Sequence, residues 1–319
     1  MNFSKSAQRA PLSDGRWHFQ HGPIDIVIGA YGEPAAVKQA HRSAWLRFET
    51  VLEELVGELP MLRRAIEQDA SLTGASDILK GTVARRMWSA CAPYRAGFIT
   101  PMAAVAGSVA QELIASYARA GVERAWVNNG GDIALHLTPG QSLRIGLFAD
   151  LAHLGAALND VYGHSEDAED AEYVKGLATD AQCEIGFEMP VRGIATSGWR
   201  GRSFSMGIAD SVTVLAKTAA MADAAATVIA NAVNLVHPGI VRRRACDIRD
   251  DSDLGARLVT VDVPRLSSDE AHQALAAGQR KAHSLAQCGQ IESAVLVCQG
   301  QFMQAGHMGR NIFQYSLCS

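Results

Sequence analysis

Residues 124–137 read RAWVNNGGDIALHL, two apolar runs separated by Asn129-Gly130-Gly131. Asn-Gly and Gly-Gly pairs are strong signals for a tight hairpin turn, because both central positions of that turn need a positive φ. We therefore predict antiparallel strands over 124–128 and 133–137. Elsewhere strands and helices do not alternate strictly, so the sequence favours an α+β fold over a doubly wound parallel sheet.

The other elements follow from hydrophobic periodicity and from breakers. Apolar runs predict strands over 24–28, 143–148, 184–187, 191–196, 211–216, 258–263 and 291–298. Three- and four-residue spacing predicts helices over 35–59, 78–90, 102–120, 219–234 and 268–287. Pro60 is expected to end the first helix. We interpret 1–319 as a single domain of antiparallel sheets packed with helices, and the acidic stretch 151–182 as an insert or lid.

Composition narrows the class of protein. Hydrophobic residues make up 48% of the 319 residues, which is enough for a sizeable core, and the net charge of −4 argues against nucleic acid as a partner. The six cysteines show no C-x-x-C spacing, so a structural zinc site is not supported. Residues 1–16 have no apolar run of a signal peptide, and no stretch resembles a membrane span. The expected compartment is the cytoplasm, and Ala-rich helices permit a homodimer.

Asp223 and Thr227 lie four residues apart on a predicted helix, so their side chains share one face. With a backbone carbonyl they would form an oxygen-only half-shell that suits Mg²⁺. The alternative is that Asp223 stabilises a helix N-terminus while Thr227 bonds back to a carbonyl. The spacing alone favours that alternative.

Two further segments combine glycine with small polar residues. The turn Asn128-Asn129-Gly130-Gly131-Asp132 could offer backbone N–H groups to an anion, or it could be a plain hairpin turn. The stretch Thr196-Ser197-Gly198, followed by Arg200 and Arg202, could hold phosphate or carboxylate groups, or it could be a polar loop. Taken alone, the first segment favours a plain hairpin turn, whereas for the second segment the two interpretations are equally supported.

Together the motifs resemble the ApbE superfamily, whose best-known members are FAD:protein FMN transferases. The resemblance runs from 98 to 235 in matching order, through Val105-Ala106-Gly107, Asn129-Gly130-Gly131-Asp132, Thr196-Ser197-Gly198 and Ala222-Asp223-Ala224-Ala225-Ala226-Thr227. It implies an α+β domain of the T-fold type, Mg²⁺ held by Asp223 and Thr227, and FAD or a similar planar ligand near the Gly-rich helix.

The chain also departs from the flavin transferases. Their lysine is absent from Met102-Ala103-Ala104-Val105-Ala106-Gly107, and their histidine and proline are absent from Met206-Gly207-Ile208-Ala209-Asp210. Three functions therefore stay open: an ApbE-like enzyme that acts on a flavin or nucleotide, an enzyme that acts on a pterin-like heterocycle, and a flavin-binding protein without catalysis. The segment Cys91-Ala92-Pro93-Tyr94-Arg95 could supply a thiol or a phenol.

These considerations give one set of candidate site residues. The candidate catalytic residues are Thr196, Ser197, Arg200 and Asp210. The candidate ligand-binding residues are Thr100, Met102, Gly107, Asn128, Asn129, Gly130, Gly131, Asp132, Gly198 and Arg202. The candidate metal ligands are Asp223 and Thr227, and the expected partner is a small molecule.

Overall fold

The computed structural model describes residues 6–67, 79–147, 181–306 and 313–315. Its strands are β1 Gln8–Pro11, β2 Trp17–His21, β3 Ile24–Gly32, β4 Val122–Asn129, β5 Asp132–Leu137, β6 Ser142–Leu147, β7 Ala181–Gly186, β8 Gly193–Ser197, β9 Ser211–Ala216, β10 Val241–Arg244, β11 Leu258–Asp262, β12 Ser293–Cys298, β13 Gln301–Gly306 and β14 Phe313–Tyr315. Its α-helices are α1 Pro34–Leu62, α2 Thr82–Cys91, α3 Val105–Ile114, α4 Ala219–Ala232, α5 Ala245–Ile248 and α6 Ser268–Gln287. None of the helices in these ranges is both long and apolar enough to cross a membrane.

Nine strands form one antiparallel sheet in the order β1-β2-β3-β4-β5-β8-β9-β12-β13. The predicted hairpin lies near its centre, where β4 and β5 pair from Asn129 opposite Asp132 to Arg124 opposite Leu137. Strands β6 and β7 leave this order and join β14 in a second antiparallel sheet. As a result β8 pairs directly with β5 and carries the Thr196-Ser197 segment beside the hairpin.

Alternation along the strands gives the large sheet two different faces. Ala134 of β5 and Val214 of β9 belong to the cores under the helices, whereas their neighbours Leu135 and Leu215 pack towards the second sheet. Helix α4 runs across the middle of the helical face, where it contacts α2, α3, α6, β8 and β9. The α+β class with antiparallel sheets packed against helices is therefore confirmed.

Most of the predicted elements are present, and their ends differ by a few residues. Helix α6 begins and ends where predicted, and its N-cap Ser267 forms a capping box with Glu270. Pro60 does not end α1, which continues to Leu62. A proline so close to the helix end removes only one backbone donor, and the chain can continue for the remaining half turn.

Five strands were not predicted as strands: β1, β2, β10, β13 and β14. β1 and β2 form a hairpin ahead of the first predicted strand, β10 pairs with β11, and β13 and β14 follow the last predicted strand. β1 and β13 form the two edges of the large sheet, where both faces of a strand are partly exposed, and their alternation is therefore weak. The predicted insert over 151–182 lies outside the described residues except for its last two positions, which already belong to β7.

Candidate functional site

The hairpin turn between β4 and β5 is held in place from two sides. Gly130 and Gly131 have φ values of 66° and 110°, the left-handed region that this turn requires. The Gly131 amide donates to Oδ1 of Asn128 at 2.8 Å, which closes the turn. Nδ2 of Asn129 donates to the Ala106 carbonyl at 3.1 Å. The turn is thus tied to the first turn of helix α3.

Helices α3 and α4 approach each other closely at Gly107. A Cβ at this position would lie 2.3 Å from the Ala219 carbonyl oxygen, so only glycine fits. The Gly107 amide donates to Oδ2 of Asp223 at 2.9 Å. Asp223 therefore places a carboxylate at the N-terminus of α3, where the helix dipole and the unpaired amides favour a negative charge.

Asp132 is the second carboxylate of this region. It is buried, and its Oδ1 accepts a hydrogen bond from the Thr196 amide at 3.3 Å. Burial raises the pKa of Asp132 well above its usual value, and the nearby charge of Asp223 raises it further. Burial also raises the pKa of Asp223, although hydrogen bonds from the Gly107 and Ala106 amides act in the opposite direction. The two acids thus form one electrostatically coupled cluster.

Within the described ranges, neither acid forms an ion pair with a lysine, arginine or histidine. Thr227 lies one turn after Asp223 on α4, is partly buried, and makes no side-chain hydrogen bond to another described residue. Its hydroxyl therefore does not bond back to a carbonyl, as the alternative interpretation expected, and is available to a ligand. Asp223 does stabilise a helix N-terminus, but that of α3 rather than that of its own helix.

No three His, Cys, Asp or Glu side chains of the described ranges gather into a metal site. A cation here would take its protein ligands from one carboxylate, the Thr227 hydroxyl and backbone carbonyls. Such a set fits Mg²⁺, which prefers oxygen and commonly keeps water or substrate phosphate among its ligands. It does not fit zinc, whose sites are built from cysteine and histidine.

The loop after β8 is organised around Asp210. Its Oδ1 accepts a hydrogen bond from Nε1 of Trp199 at 3.2 Å, and its Oδ2 accepts one from the backbone N–H of Gln299 at 2.5 Å. The Arg200 guanidinium stacks on the Trp199 ring at 4.9 Å, with its Nε 4.0 Å from Asp210. Asp210 thus holds the loop that starts at Gly198, and its role as an acid or a base stays a prediction.

Thr196 and Ser197 end β8 at the mouth of this loop. The Thr196 hydroxyl shares a 2.9 Å hydrogen bond with that of Thr213 on β9, and Ser197 is partly buried. Beyond them the Arg202 side chain lies over the hairpin turn. A Cβ built on Gly130 would be 3.2 Å from Nη1 of Arg202. Arg202 is exposed and makes no hydrogen bond or ion pair to any residue that the structure describes. A positive charge therefore faces the exposed turn.

Thr100 and Met102 were predicted to bind the ligand, but their side chains contact other parts of the protein. Met102 is partly buried and packs against the core beneath α1. Thr100 is buried, and its hydroxyl donates to Oδ2 of Asp253 at 2.5 Å. Sequence analysis did not single out Asp253. It stands in a loop with several other aspartates, more than 150 residues from Thr100, and no spacing pattern marks it.

Comparisons with known proteins agree with the motifs. Residues 9–304 match the family model described as AbpE bacteria. Relatives include the UPF0280 protein MK0206 of Methanopyrus kandleri, 33% identical over 71% of this chain and 78% of the relative. Another is the UPF0280 protein of Methanothrix thermoacetophila, 30% identical over 69% of this chain and 79% of the relative.

Two solved structures align over nearly the whole chain with low similarity scores. The apo flavinyl transferase ApbE of Pseudomonas stutzeri is 14% identical, with a TM-score of 0.38 and coverage of 96% of both chains. The ApbE protein of Thermotoga maritima is 10% identical, with a TM-score of 0.37 and coverage of 94% of this chain and 96% of the other. The family model spans nearly the entire sequence, and on that match the chain belongs to the AbpE bacteria family of ApbE-like proteins.

Proposed function

We propose that this chain is an ApbE-like enzyme that binds FAD, or a nucleotide of similar shape and charge, together with Mg²⁺. The ligand lies between the first turn of α3, the β4–β5 turn and the loop 197–202. One observation carries this proposal: Asp132 is buried, Asp223 nearby is partly buried, and neither acid has a cationic partner among the described side chains.

A cation would relieve the main electrostatic cost of this cluster. A buried carboxylate without a partner is strongly disfavoured and tends to take up a proton instead. Asp223 and Thr227 would hold the ion, and the Asp132 charge would support it from nearby. When bound, Mg²⁺ neutralises charge on phosphate oxygens and thereby assists attack on a pyrophosphate.

The phosphate groups have a separate binding region in this proposal. Arg202 lies over the Gly130 turn, and a guanidinium can donate two parallel hydrogen bonds to a phosphate. The Gly131 amide already donates to Oδ1 of Asn128, so Arg202 rather than this amide would bind the phosphate above the turn. In this proposal Thr196, Ser197 and Arg200, which end β8 and begin the following loop, would orient the reacting group.

Flavin binding without catalysis is the second candidate. The specific observation in its favour is that both carboxylate oxygens of Asp210 already accept hydrogen bonds within the protein. The lysine and histidine of the flavin transferases are also missing from 102–107 and 206–210. A site of this kind would retain the ligand without cleaving it. The third alternative, an enzyme that acts on a pterin-like substrate, predicts that the protein does not bind flavin.

The test is a titration of the purified protein with FAD and with riboflavin, followed by flavin fluorescence in the presence of Mg²⁺ or EDTA. We expect FAD to bind in Mg²⁺ and to bind at least tenfold more weakly in EDTA, because its pyrophosphate then lacks the ion. Release of AMP identifies an enzyme, whereas bound and intact FAD identifies the non-catalytic alternative. Absence of FAD binding under both conditions contradicts the proposal.

Arg202→Gln tests the phosphate region against a matched control. We expect it to weaken FAD binding by about tenfold, the worth of a hydrogen bond to a charged group, and to leave riboflavin binding unchanged. Arg243→Gln removes the same charge from an exposed position on β10 and should leave both affinities unchanged. Equal losses for FAD and riboflavin would argue against phosphate recognition by Arg202.

A further inference from the structure

We propose that Asp253 is a positioning residue of this site, which acts through the Thr100 hydroxyl on the segment that carries Gly107. This inference rests on the proposed function, and it adds a residue that neither the motifs nor the family comparisons assign. Asp253 lies in the connection between α5 and β11, far from Thr100 in sequence.

The Asp253–Thr100 contact replaces an ordinary helix cap. Thr100 has extended φ and ψ values of −110° and 157° and stands at the N-cap of the 3-10 helix Pro101–Ala104. A threonine at this position usually accepts a hydrogen bond from a backbone amide of the first turn. Here the side chain makes no such capping bond, and the hydroxyl donates to Asp253 at 2.5 Å instead. Thr100 is only 2% exposed, and Asp253 is partly buried.

A short helical segment connects Thr100 to Gly107, whose amide contacts the proposed metal ligand Asp223. The 3-10 helix continues directly into α3 at Val105, and Gly107 is only seven residues beyond Thr100. The Gly107 amide donates to Asp223, and the Ala106 carbonyl accepts from Asn129. A displacement of Thr100 would therefore move both the amide that faces Asp223 and the contact with the hairpin turn.

Asp253 can serve as a fixed point because its own segment is held on both sides. Arg63 donates to Asp251 at 3.0 Å, and the Arg257 guanidinium lies 3.5 Å from the centre of the Phe98 ring. Within the segment, the amides of Ala245 and Cys246 donate to the carbonyls of Arg257 and Gly255, each at 2.9 Å. The loop that presents Asp253 is thus attached to residues just before Thr100 and to the end of α1.

The buried thiol of Cys91 lies near the segment that follows Thr100 and near both Asp223 and Asp253. Its Sγ lies 3.8 Å from the Pro101 carbonyl, immediately after Thr100. Burial raises the pKa of this thiol, and the charges of Asp223 and Asp253 both raise it further. Both carboxylates therefore lie near this one buried thiol.

The experiment compares Asp253→Ala, Thr100→Val and their double variant in FAD titrations at several Mg²⁺ concentrations. Asp250→Ala, an exposed aspartate of the same loop, serves as the control. We expect each single variant to raise the Mg²⁺ concentration for half-maximal FAD binding about tenfold, which is the effect of one hydrogen bond to a charged group. The double variant should be no worse than either single one, and Thr100→Ser should restore wild-type behaviour.

Each other outcome is decisive. If the wild type binds FAD and the Asp253 and Thr100 variants keep its Mg²⁺ dependence, Asp253 has only a structural role and the inference is wrong, while the proposed function stands. Additive effects in the double variant would show that Asp253 does not act through Thr100. If the wild type does not bind FAD, the proposed function fails and this inference fails with it.

Discussion

The amide of Gly107 on helix α3 donates a 2.9 Å hydrogen bond to Oδ2 of Asp223 on helix α4. One helix thus supplies the carboxylate that satisfies the N-terminus of the other. The contact is possible because Gly107 lacks a side chain at the point where the two backbones meet. The packing of α3 against α4 and the position of the Asp223 carboxylate consequently depend on the same residue, Gly107.

The first prediction concerns this close approach. Gly107→Ala would place a Cβ 2.3 Å from the Ala219 carbonyl oxygen and 2.9 Å from the Asp223 Cβ. We expect the free energy of unfolding to fall by about 1–3 kcal/mol, the usual cost of overpacking. Chemical denaturation measures this change.

Gly57→Ala is the matched control for Gly107→Ala. Gly57 lies in helix α1 with open space around its Cα, so the added methyl meets nothing. Because alanine favours helix more than glycine does, this variant should gain up to about 1 kcal/mol of stability. A similar loss from both substitutions would mean that helix packing at Gly107 is not the cause.

The second prediction concerns a charge network that joins three helices. Arg47 of α1 donates to Glu54 at 2.6 Å and to Glu112 of α3 at 2.7 Å, and Arg86 of α2 pairs with Glu112 at 2.8 Å. Glu112 is mostly buried. Arg47→Met should therefore lower the free energy of unfolding by about 1–3 kcal/mol, because it removes charged hydrogen bonds from a partly buried acid.

The pH dependence of this loss identifies its origin. Hydrogen bonds from the arginines lower the pKa values of Glu54 and Glu112 below their ordinary value, even though burial opposes this for both. Acids with lowered pKa values contribute stability above their ordinary pKa and lose it as the pH falls through the folded one. The difference between wild type and Arg47→Met should thus shrink below about pH 4. Arg42→Met, an exposed arginine of the same helix, should change stability little at any pH.

The third prediction concerns the buried pair of His41 and Tyr117. The His41 ring is buried against Trp17, and its Nδ1 lies 2.7 Å from the Tyr117 hydroxyl. Burial lowers the pKa of His41 to about 4. The unfolded chain therefore binds more protons between that value and the ordinary value near 6.5, so stability falls as the pH falls through this range.

We expect this single group to account for a loss of up to roughly 3 kcal/mol between pH 7 and pH 4. Denaturation curves of wild type and His41→Gln over this range measure it, and the variant should lack this part of the pH dependence. His272, on the exposed side of α6, provides the control substitution His272→Gln. An identical pH profile for wild type and His41→Gln would contradict the prediction.

Local chemistry explains which parts of the fold could be predicted. The Asn129-Gly130-Gly131 turn needs positive φ at both glycines, and the N-cap Ser267 of helix α6 forms a capping box with Glu270, so each signal lies in a few adjacent residues. β13 could not be recognised in this way. Its residues are stabilised by pairing with β12, and their own alternation is poor.

The site shows the same limit. The motifs predicted Gly107, Asp132 and Asp223, and the structure brings their backbones and side chains together. The hydrogen bond from Thr100 to Asp253 depends on how the α5–β11 connection folds back against the helices. No spacing between two residues 153 positions apart can predict such a contact, since it is a result of tertiary packing.

The last prediction concerns the proposed Mg²⁺ ligands. Asp223→Asn keeps a hydrogen-bond acceptor for the Gly107 amide but removes the only formal charge that the Asp223–Thr227 pair offers to a cation. We therefore expect it to abolish the difference between FAD binding in Mg²⁺ and in EDTA. Thr227→Ala removes a neutral ligand and should weaken Mg²⁺ dependence less, while Thr227→Ser should preserve it.

Stability measurements separate this role from a purely structural one. If Asp223 only stabilises the N-terminus of α3, Asp223→Asn should lower the free energy of unfolding by about 0.3–1 kcal/mol and leave ligand binding unchanged. If it holds Mg²⁺, the added ion should raise the melting temperature of the wild type, because a ligand that binds only the folded state stabilises it, and should not raise that of Asp223→Asn. Glu53→Gln, the same charge change at an exposed position of α1, should respond to Mg²⁺ as the wild type does. A wild type that is indifferent to both Mg²⁺ and EDTA, with Asp223→Asn fully able to bind FAD, would rule out the metal site.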